Sequence, residues 1–313
     1  MSNTLRISLS ETEEFLQNRY GRGIRAVHTL GEGGWSYAFY FEQNGRKNVI
    51  RWADVSDNFE RDAFAATFNS DGLPVPLIQE IGKANDRFFA ISPFVEGRFL
   101  EELTPSELKA AAPSVIKMLR ALRAVDLSTS TGFGFLNKDG KGNHGSWKEF
   151  LLDDGNSSAE SLIKGWKGHL PSSPTRTADA YDRLWSKFQR LLHYCPEDRG
   201  VVHSDLVNRN ILVADGNITA VLDWGSSFFG DPLYDIAWLI FCDPWAPNFR
   251  ATQLIPQLLE DFKADPHSNT KNMNERLLCY QLNIAAGSIA YNTFKMDWKT
   301  LQEVVDYSTK LLL

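Results

Sequence analysis

The stretch from Gly200 to Trp224, GVVHSDLVNRNILVADGNITAVLDW, limits what this chain can fold into more than any other. Val201 and Val202 form a short apolar run leading into His203-Ser204-Asp205. Residues 210–213 and 218–222 are two more β-branched runs, and Ala214-Asp215-Gly216-Asn217 between them reads as a hairpin turn. Such a hairpin brings Asn210, at the start of its first strand, near Asp223, at the end of its second. Asp205 sits on the loop just before. Three oxygen-bearing side chains thus converge on one spot. A carboxylate with an amide oxygen suits Mg²⁺, which prefers hard oxygen ligands and keeps waters and phosphate oxygens. Asp205 is left free to take a hydroxyl proton, an arrangement that implies phosphoryl transfer from a Mg-nucleotide.

An H-x-D on its own is ordinary turn chemistry, since Asp is a routine turn residue. H-x-D-x-x-x-x-N, a hairpin and then D-W is far more specific. The segments VVHSDLVNRNIL and AVLDWGSSFFGDPLYDIA resemble the aminoglycoside phosphotransferase family of the kinase-like superfamily, and are most similar to its hygromycin B phosphotransferase branch. VDLSTSTGFGF (125–135) is similar to that branch as well. The resemblance implies a bilobal α+β, protein-kinase-like fold. Residues 1–92 are expected as a nucleotide-binding lobe built on an antiparallel sheet, 93–97 as a hinge, and 98–313 as a mainly helical lobe. It also implies ATP or GTP as phosphate donor with Mg²⁺, Asp205 as catalytic base, and Asn210 and Asp223 as metal ligands. The departures from protein kinases are informative. Ser204 stands where regulated kinases carry Arg, only a few residues separate Asp223-Trp224 from Gly230-Asp231-Pro232, and no A-P-E follows. No long activation segment fits, so a small-molecule hydroxyl acceptor is expected.

The 313 residues suffice for one large or two modest domains. Hydrophobic content of 43% and charged content of 23% are those of a soluble globular protein. The net charge of −6, with no Lys/Arg-rich block, argues against a nucleic-acid partner. Cys195, Cys242 and Cys279 form neither a C-x-x-C site nor a disulfide framework, which points to a reducing cytoplasm. Met1–Ser10 lacks signal-peptide character and no run is long enough to span a bilayer. The scattered histidines suggest no zinc site. A cytoplasmic monomer without a membrane partner is expected.

Towards the N-terminus, Ser10-Glu-Thr-Glu13 resembles a capping box that opens a helix. Ile24–Leu30 and Tyr37–Glu42 read as strands joined by Gly31-Glu32-Gly33-Gly34-Trp35-Ser36. The spacing is not G-x-G-x-x-G, yet Gly33 and Gly34 can lay backbone N–H groups over phosphates, and Ser36 can hydrogen-bond one. Asn48–Trp52 is the next strand, and it takes the place of the kinase V-A-I-K with Arg51 at the position of Lys. The helix beginning near Asn58 offers Asp62 or Glu60 as its partner, and likeness to the family's Arg-Glu-Ala helix favours Asp62. Strands follow near 77–82 and 87–91. By resemblance Ser92 and Phe94 are hinge contacts to the base, with Val49 and Ile91 as apolar walls and Leu212 below.

Beyond the hinge, Thr104-Pro105-Ser106-Glu107 supplies an N-cap, a Pro at N1 and a capping-box acid. Pro113 is expected to kink or divide that helix. Residues 129–145 read as an irregular loop. Helices are expected over 147–152, 178–193, 236–241, 254–262, 275–291 and 298–312. Asp235, in a G-D-P-x-x-D run, is expected to brace the catalytic loop by resemblance, and His203 to organise it. Asp231, Trp245, Tyr280 and Asn283 are the candidates for acceptor contacts. Gly287 stands where the hygromycin branch carries an acid. The alternatives are a metabolite kinase for a choline-, homoserine- or sugar-type acceptor, and a nucleotide-binding protein without turnover, the latter motivated by Arg51. Retention of Asp205, Asn210 and Asp223 together argues against the inert binder.

Overall fold

The computed structural model describes residues 7–32, 36–153, 161, 163–174 and 176–313. The chain opens on helix α1 (Leu9–Tyr20), whose capping box is Ser8 with Glu11, one S-x-x-E earlier than expected. Five strands follow, interrupted by one helix: β1 (Ile24–Glu32), β2 (Tyr37–Gln43), β3 (Arg46–Ala53), α2 (Asp57–Ala65), β4 (Glu80–Ala84) and β5 (Arg87–Pro93). They form one antiparallel sheet in the order β1-β2-β3-β5-β4. Strand β4 begins three residues later than the sequence implies. Pro74 and Pro76 carry no N–H for a ladder, and Leu77 is left exposed.

Alternation sorts this sheet into two faces. Phe39, Ile50 and Ile91 are cross-strand partners, and with Phe41, Trp52 and Phe89 they bury against Leu16 of α1. Val49, Arg51, Ala90 and Ser92 therefore occupy the opposite face. Ile91 is corrected on this ground: it is core beneath α1 and no wall of a cleft that contains Arg51.

The chain crosses over at 94–97. Strand β6 (Arg98–Phe99) pairs with β9 (Ile211–Ala214), which pairs with β10 (Asn217–Val221), so the hinge continues as a third strand beside the hairpin. A Cβ on Gly97 would lie 2.9 Å from Thr219 Oγ1 and 3.1 Å from Leu212 Cβ, so only glycine allows this approach. Helix α3 (Pro105–Arg123) is capped by Thr104 and Glu107 and runs without interruption through Pro113. Burial of Leu108, Ala111, Ala112, Val115, Met118, Leu119 and Leu122 on one face outweighs the single backbone bond that Pro113 removes. Strand β7 (Gly134–Phe135) lies within the loop expected to be irregular, and pairs with β11 (Phe228–Gly230), which pairs with β8 (Gly200–Val202).

The remaining elements are helical: α4 (Trp147–Leu152), α5 (Thr177–Leu191), α6 (Leu233–Cys242), α7 (Pro247–Ala251), α8 (Leu254–Ala264), α9 (Met273–Lys295) and α10 (Trp298–Ser308). One core gathers α4, α5, α6, α9 and α10 around Trp147, Phe188, Tyr280 and Ile289. A second holds α3 against the hairpin through Val115, Leu119, Ile211 and Val221. Among the described residues no helix is long and apolar enough to cross a membrane.

Candidate active site

The loop between β8 and β9 is held from beneath. Asp235, buried at the start of α6, accepts the backbone N–H of His203 at 3.0 Å and of Ser204 at 2.7 Å. His203 is fully buried. Its Nε2–H donates to the Leu222 carbonyl at 2.9 Å, and its Nδ1 accepts the Asp205 N–H at 3.3 Å, which requires the neutral ring. Burial pushes its pKa down to about 4, in agreement. Ser204 adds a bond from Oγ to the Ser226 carbonyl at 2.7 Å. Ser204, Asn208 and Arg209 adopt left-handed backbone conformations, so the loop is a series of sharp turns pinned at several points.

On this support Asp205 is half-buried with both oxygens engaged. Oδ1 accepts from Asn208 Nδ2 at 2.6 Å and Oδ2 from Asn210 Nδ2 at 3.1 Å. Burial raises its pKa to about 7, helped by the nearby charges of Asp223 and Glu101 and opposed by the two amide bonds. Asn210 also gives Nδ2 to the Asp205 carbonyl at 2.7 Å. With its amino group committed, its Oδ1 is the atom left to serve as a hard oxygen donor. The Leu222 N–H donates to the Asn210 carbonyl at 2.7 Å, which closes the hairpin and brings Asp223 alongside. Asp223 is left-handed (φ 56°) and opens a single 3₁₀ turn, Trp224–Ser226.

The chemistry of this donor set fits Mg²⁺. Asn210 and Asp223 would offer two protein oxygens, and no group of three or more His, Cys, Asp or Glu among the described residues forms a self-sufficient cage. A cation held by so few protein ligands completes its shell with water and phosphate oxygens, as Mg²⁺ does.

On the sheet lobe, Arg51 Nη2 donates to Asp62 Oδ2 at 2.6 Å, and Asp62 Oδ1 accepts the Trp224 N–H at 2.8 Å. The structure selects Asp62 over Glu60, which instead receives a bond from Ser56 Oγ. Gly33 and Gly34 lie outside the described residues, while Ser36 sits half-buried at the entry to β2. Val49 lies on the Arg51 face, and Leu212 is buried beneath the crossover. Ser92 pairs with Val49. Phe94 departs from expectation: its N–H is already given to the Lys47 carbonyl at 3.1 Å, so a base at the hinge cannot receive it unless that bond breaks.

The expected acceptor residues divide. Asp231 is fully buried and saturated by Arg276, by Tyr280 and by the Leu233 N–H. Tyr280 is equally buried and accepts from Trp147 Nε1 at 3.1 Å. Asn283 spends its amide on Tyr234 Oη and the Leu151 carbonyl. These three are corrected to internal ties among α4, α6 and α9. Trp245 alone stands open, 44% exposed, against Phe241 and Tyr307. Sequence reasoning missed Glu101, whose Oε1 accepts the Arg209 N–H at 2.9 Å and whose charge reaches Asp205. No motif marks it, because the link spans 108 residues. Arg61 was missed too, although it adjoins Asp62.

A sheet lobe, a hinge strand and a helical lobe enclosing a carboxylate, an amide and an ion pair in this order define a kinase-like phosphotransferase. The chain belongs to the phosphotransferase enzyme family, whose sequence profile matches residues 58–266. It is a small-molecule kinase. It is 31% identical over 244 residues to hygromycin-B 4-O-kinase of Escherichia coli, covering 76% of this chain and 68% of the relative. Its fold matches the crystal structure of the aminoglycoside phosphotransferase APH(4)-Ia with TM-score 0.84 and 25% identity, over 97% of this chain and 98% of the other. A thermostable mutant of that enzyme, in ternary complex with AMP-PNP and hygromycin B, matches with TM-score 0.82 and 26% identity over 96% and 97% of the two chains.

Proposed function

We propose that the protein transfers the γ-phosphoryl group of a nucleoside triphosphate, bound with Mg²⁺, to a hydroxyl of an aminoglycoside of the hygromycin B type. The observation that carries this reading is the Asp205 carboxylate, fixed by Asn208 and Asn210, with Asp223 within electrostatic range of it and of the Arg51–Asp62 pair. Asp205 takes the proton of the acceptor hydroxyl while that oxygen bonds to phosphorus and the bond to the leaving diphosphate breaks. A carboxyl that titrates near neutrality suits this task. Asn210 and Asp223 hold the metal, whose charge would offset that building on the phosphates. Arg51, kept in place by Asp62, grips phosphate oxygens, as does the turn that carries Gly33, Gly34 and Ser36. Asp235 and His203 act only through the loop they support.

The acceptor assignment draws on the relatives, which bind or act on hygromycin B, and on the surroundings of Asp205. The Cys242 thiol, pushed up to about 12 by burial, lies within range of Asp205 and Glu101 and adjoins the turn bearing Trp245. An exposed indole beside acids suits a cationic sugar. A metabolite acceptor is the second reading, and Gly287 favours it: that exposed position has nothing within 4 Å of an added Cβ, so no acid fills it. A nucleotide-consumption assay with hygromycin B, other aminoglycosides, choline, homoserine and simple sugars decides. Turnover with hygromycin B is expected. Turnover confined to a metabolite would replace the acceptor, and no transfer to any compound would leave only the inert binder.

A further inference from the structure

Two adjacent residues of α2 reach across the cleft to the turn that follows β10. Asp62 takes the Trp224 N–H, and Arg61 takes what comes next. Arg61 Nη1 donates to the Gly225 carbonyl and its Nε to the Leu136 carbonyl at 3.1 Å, while its guanidinium carbon lies 4.7 Å from the centre of the Phe135 ring. The backbone of Gly225 is thus held on both sides of its Cα, since its N–H donates to Asp223 Oδ1 at 3.4 Å. The turn packs closely on α2, since a Cβ on Gly225 would lie 2.8 Å from the Asn58 side chain. Asp223 itself occupies the left-handed region, where a side chain is placed only as well as its neighbours hold the backbone.

We propose that Arg61 is a positioning residue for Asp223, acting through the Gly225 carbonyl and tying metal affinity to the docking of α2. Its contacts with Gly225, Leu136 and Phe135 place it behind Asp223 as a support. A planar fork suits the task, because one guanidinium satisfies two carbonyls on different segments and stacks on an aromatic ring at once. Removing its bonds loosens the turn at Gly225, between the Trp224 N–H held by Asp62 and the Ser226 carbonyl held by Ser204, and lets Asp223 shift from its productive orientation, as happens when the groups that orient a metal ligand are lost. The inference rests on Asp223 as a metal ligand.

Titration of Mg²⁺ into the full chain with a non-hydrolysable ATP analogue, followed by calorimetry, tests it, with the analogue in EDTA as reference. Arg61→Met keeps the aliphatic stem over Phe135 and removes the donors. It should raise the Mg²⁺ concentration needed for half-maximal binding by roughly 10-fold or more, with binding in EDTA unchanged. Arg61→Lys should recover part of the loss, since it can reach one carbonyl. Unchanged Mg²⁺ dependence in Arg61→Met would overturn the proposal, as would equal losses with and without Mg²⁺, which mark a general loosening of the cleft. Asp223→Ala in the same titration separates the two claims. If it binds with the parent's Mg²⁺ dependence, the metal assignment fails. If it weakens while Arg61→Met does not, only the role of Arg61 fails.

Discussion

Asp62 accepts the backbone N–H of Trp224 at 2.8 Å with one carboxylate oxygen and the Arg51 guanidinium at 2.6 Å with the other. A single side chain on α2 therefore joins strand β3 of the sheet lobe to the turn that follows Asp223 in the helical lobe. The pair is sheltered, with side-chain exposures of 21% for Arg51 and 6% for Asp62.

That sharing sets the first expectation. Asp62→Ala strands both a buried guanidinium and a buried N–H, and should cost roughly 3 kcal/mol in denaturant unfolding. Asp62→Asn keeps an acceptor for Trp224 and should cost less. Arg51→Ala should weaken nucleotide binding and transfer together, with Arg51→Lys recovering part. A double-mutant cycle between positions 51 and 62 should show coupling, and additive losses would mean that the two act separately.

Asp205→Asn should bind nucleotide about as well as the parent and transfer at least ~10²-fold more slowly, the usual scale for a positioned acid or base. Steady-state transfer beside nucleotide affinity is the measurement, and near-parental turnover contradicts the base assignment.

The buried Asp231–Arg276 pair predicts a change in stability rather than in specificity. Asp231→Ala leaves Arg276 buried without its carboxylate and should cost about 3–5 kcal/mol. Asp231→Asn, a milder change, should lower the unfolding midpoint while leaving the acceptor KM unaltered. A raised KM in a well-folded Asp231→Asn would restore the substrate role.

His203 predicts the acid limb of stability. Its folded pKa, about 4, lies below the unfolded value near 6.5, so between these the unfolded chain binds a proton that the native ring refuses. This contribution lowers stability as pH falls from 6.5 to 4, reaching roughly 3 kcal/mol, and is absent above pH 7. Asp205 and Asp235, both raised to about 7 by burial, act in the opposite sense over the same window. The difference between the parent and His203→Gln isolates the histidine. The variant should lose less stability on acidification than the parent does, and parallel curves would show that the ring titrates alike in the native and unfolded states.

The hairpin between Asn210 and Asp223 was legible in the chain because its determinants are local. Asn210 and Asp223 are brought together by an Asp-Gly turn, and Asp205 is five residues from the first, so β-propensity and turn chemistry suffice to assemble them. The Thr104 capping box and helix α4 could be read for the same reason. What tertiary structure alone decided are the relations that burial and alternation impose over long separations. Ile91 passed to the α1 side because it pairs with Ile50, and a one-residue shift in register would have reversed it. Asp231 and Tyr280 look like acceptor contacts until the fold brings Arg276, 45 residues beyond Asp231, and the Tyr280 hydroxyl onto the same Asp231 carboxylate. Helix α3 continues through Pro113 because its apolar face packs on the hairpin. The grips of Glu101 on Arg209 and of Arg61 on Gly225 leave no trace in local pattern, since a side chain's choice of a distant carbonyl or N–H is settled only when two surfaces dock and exclude water.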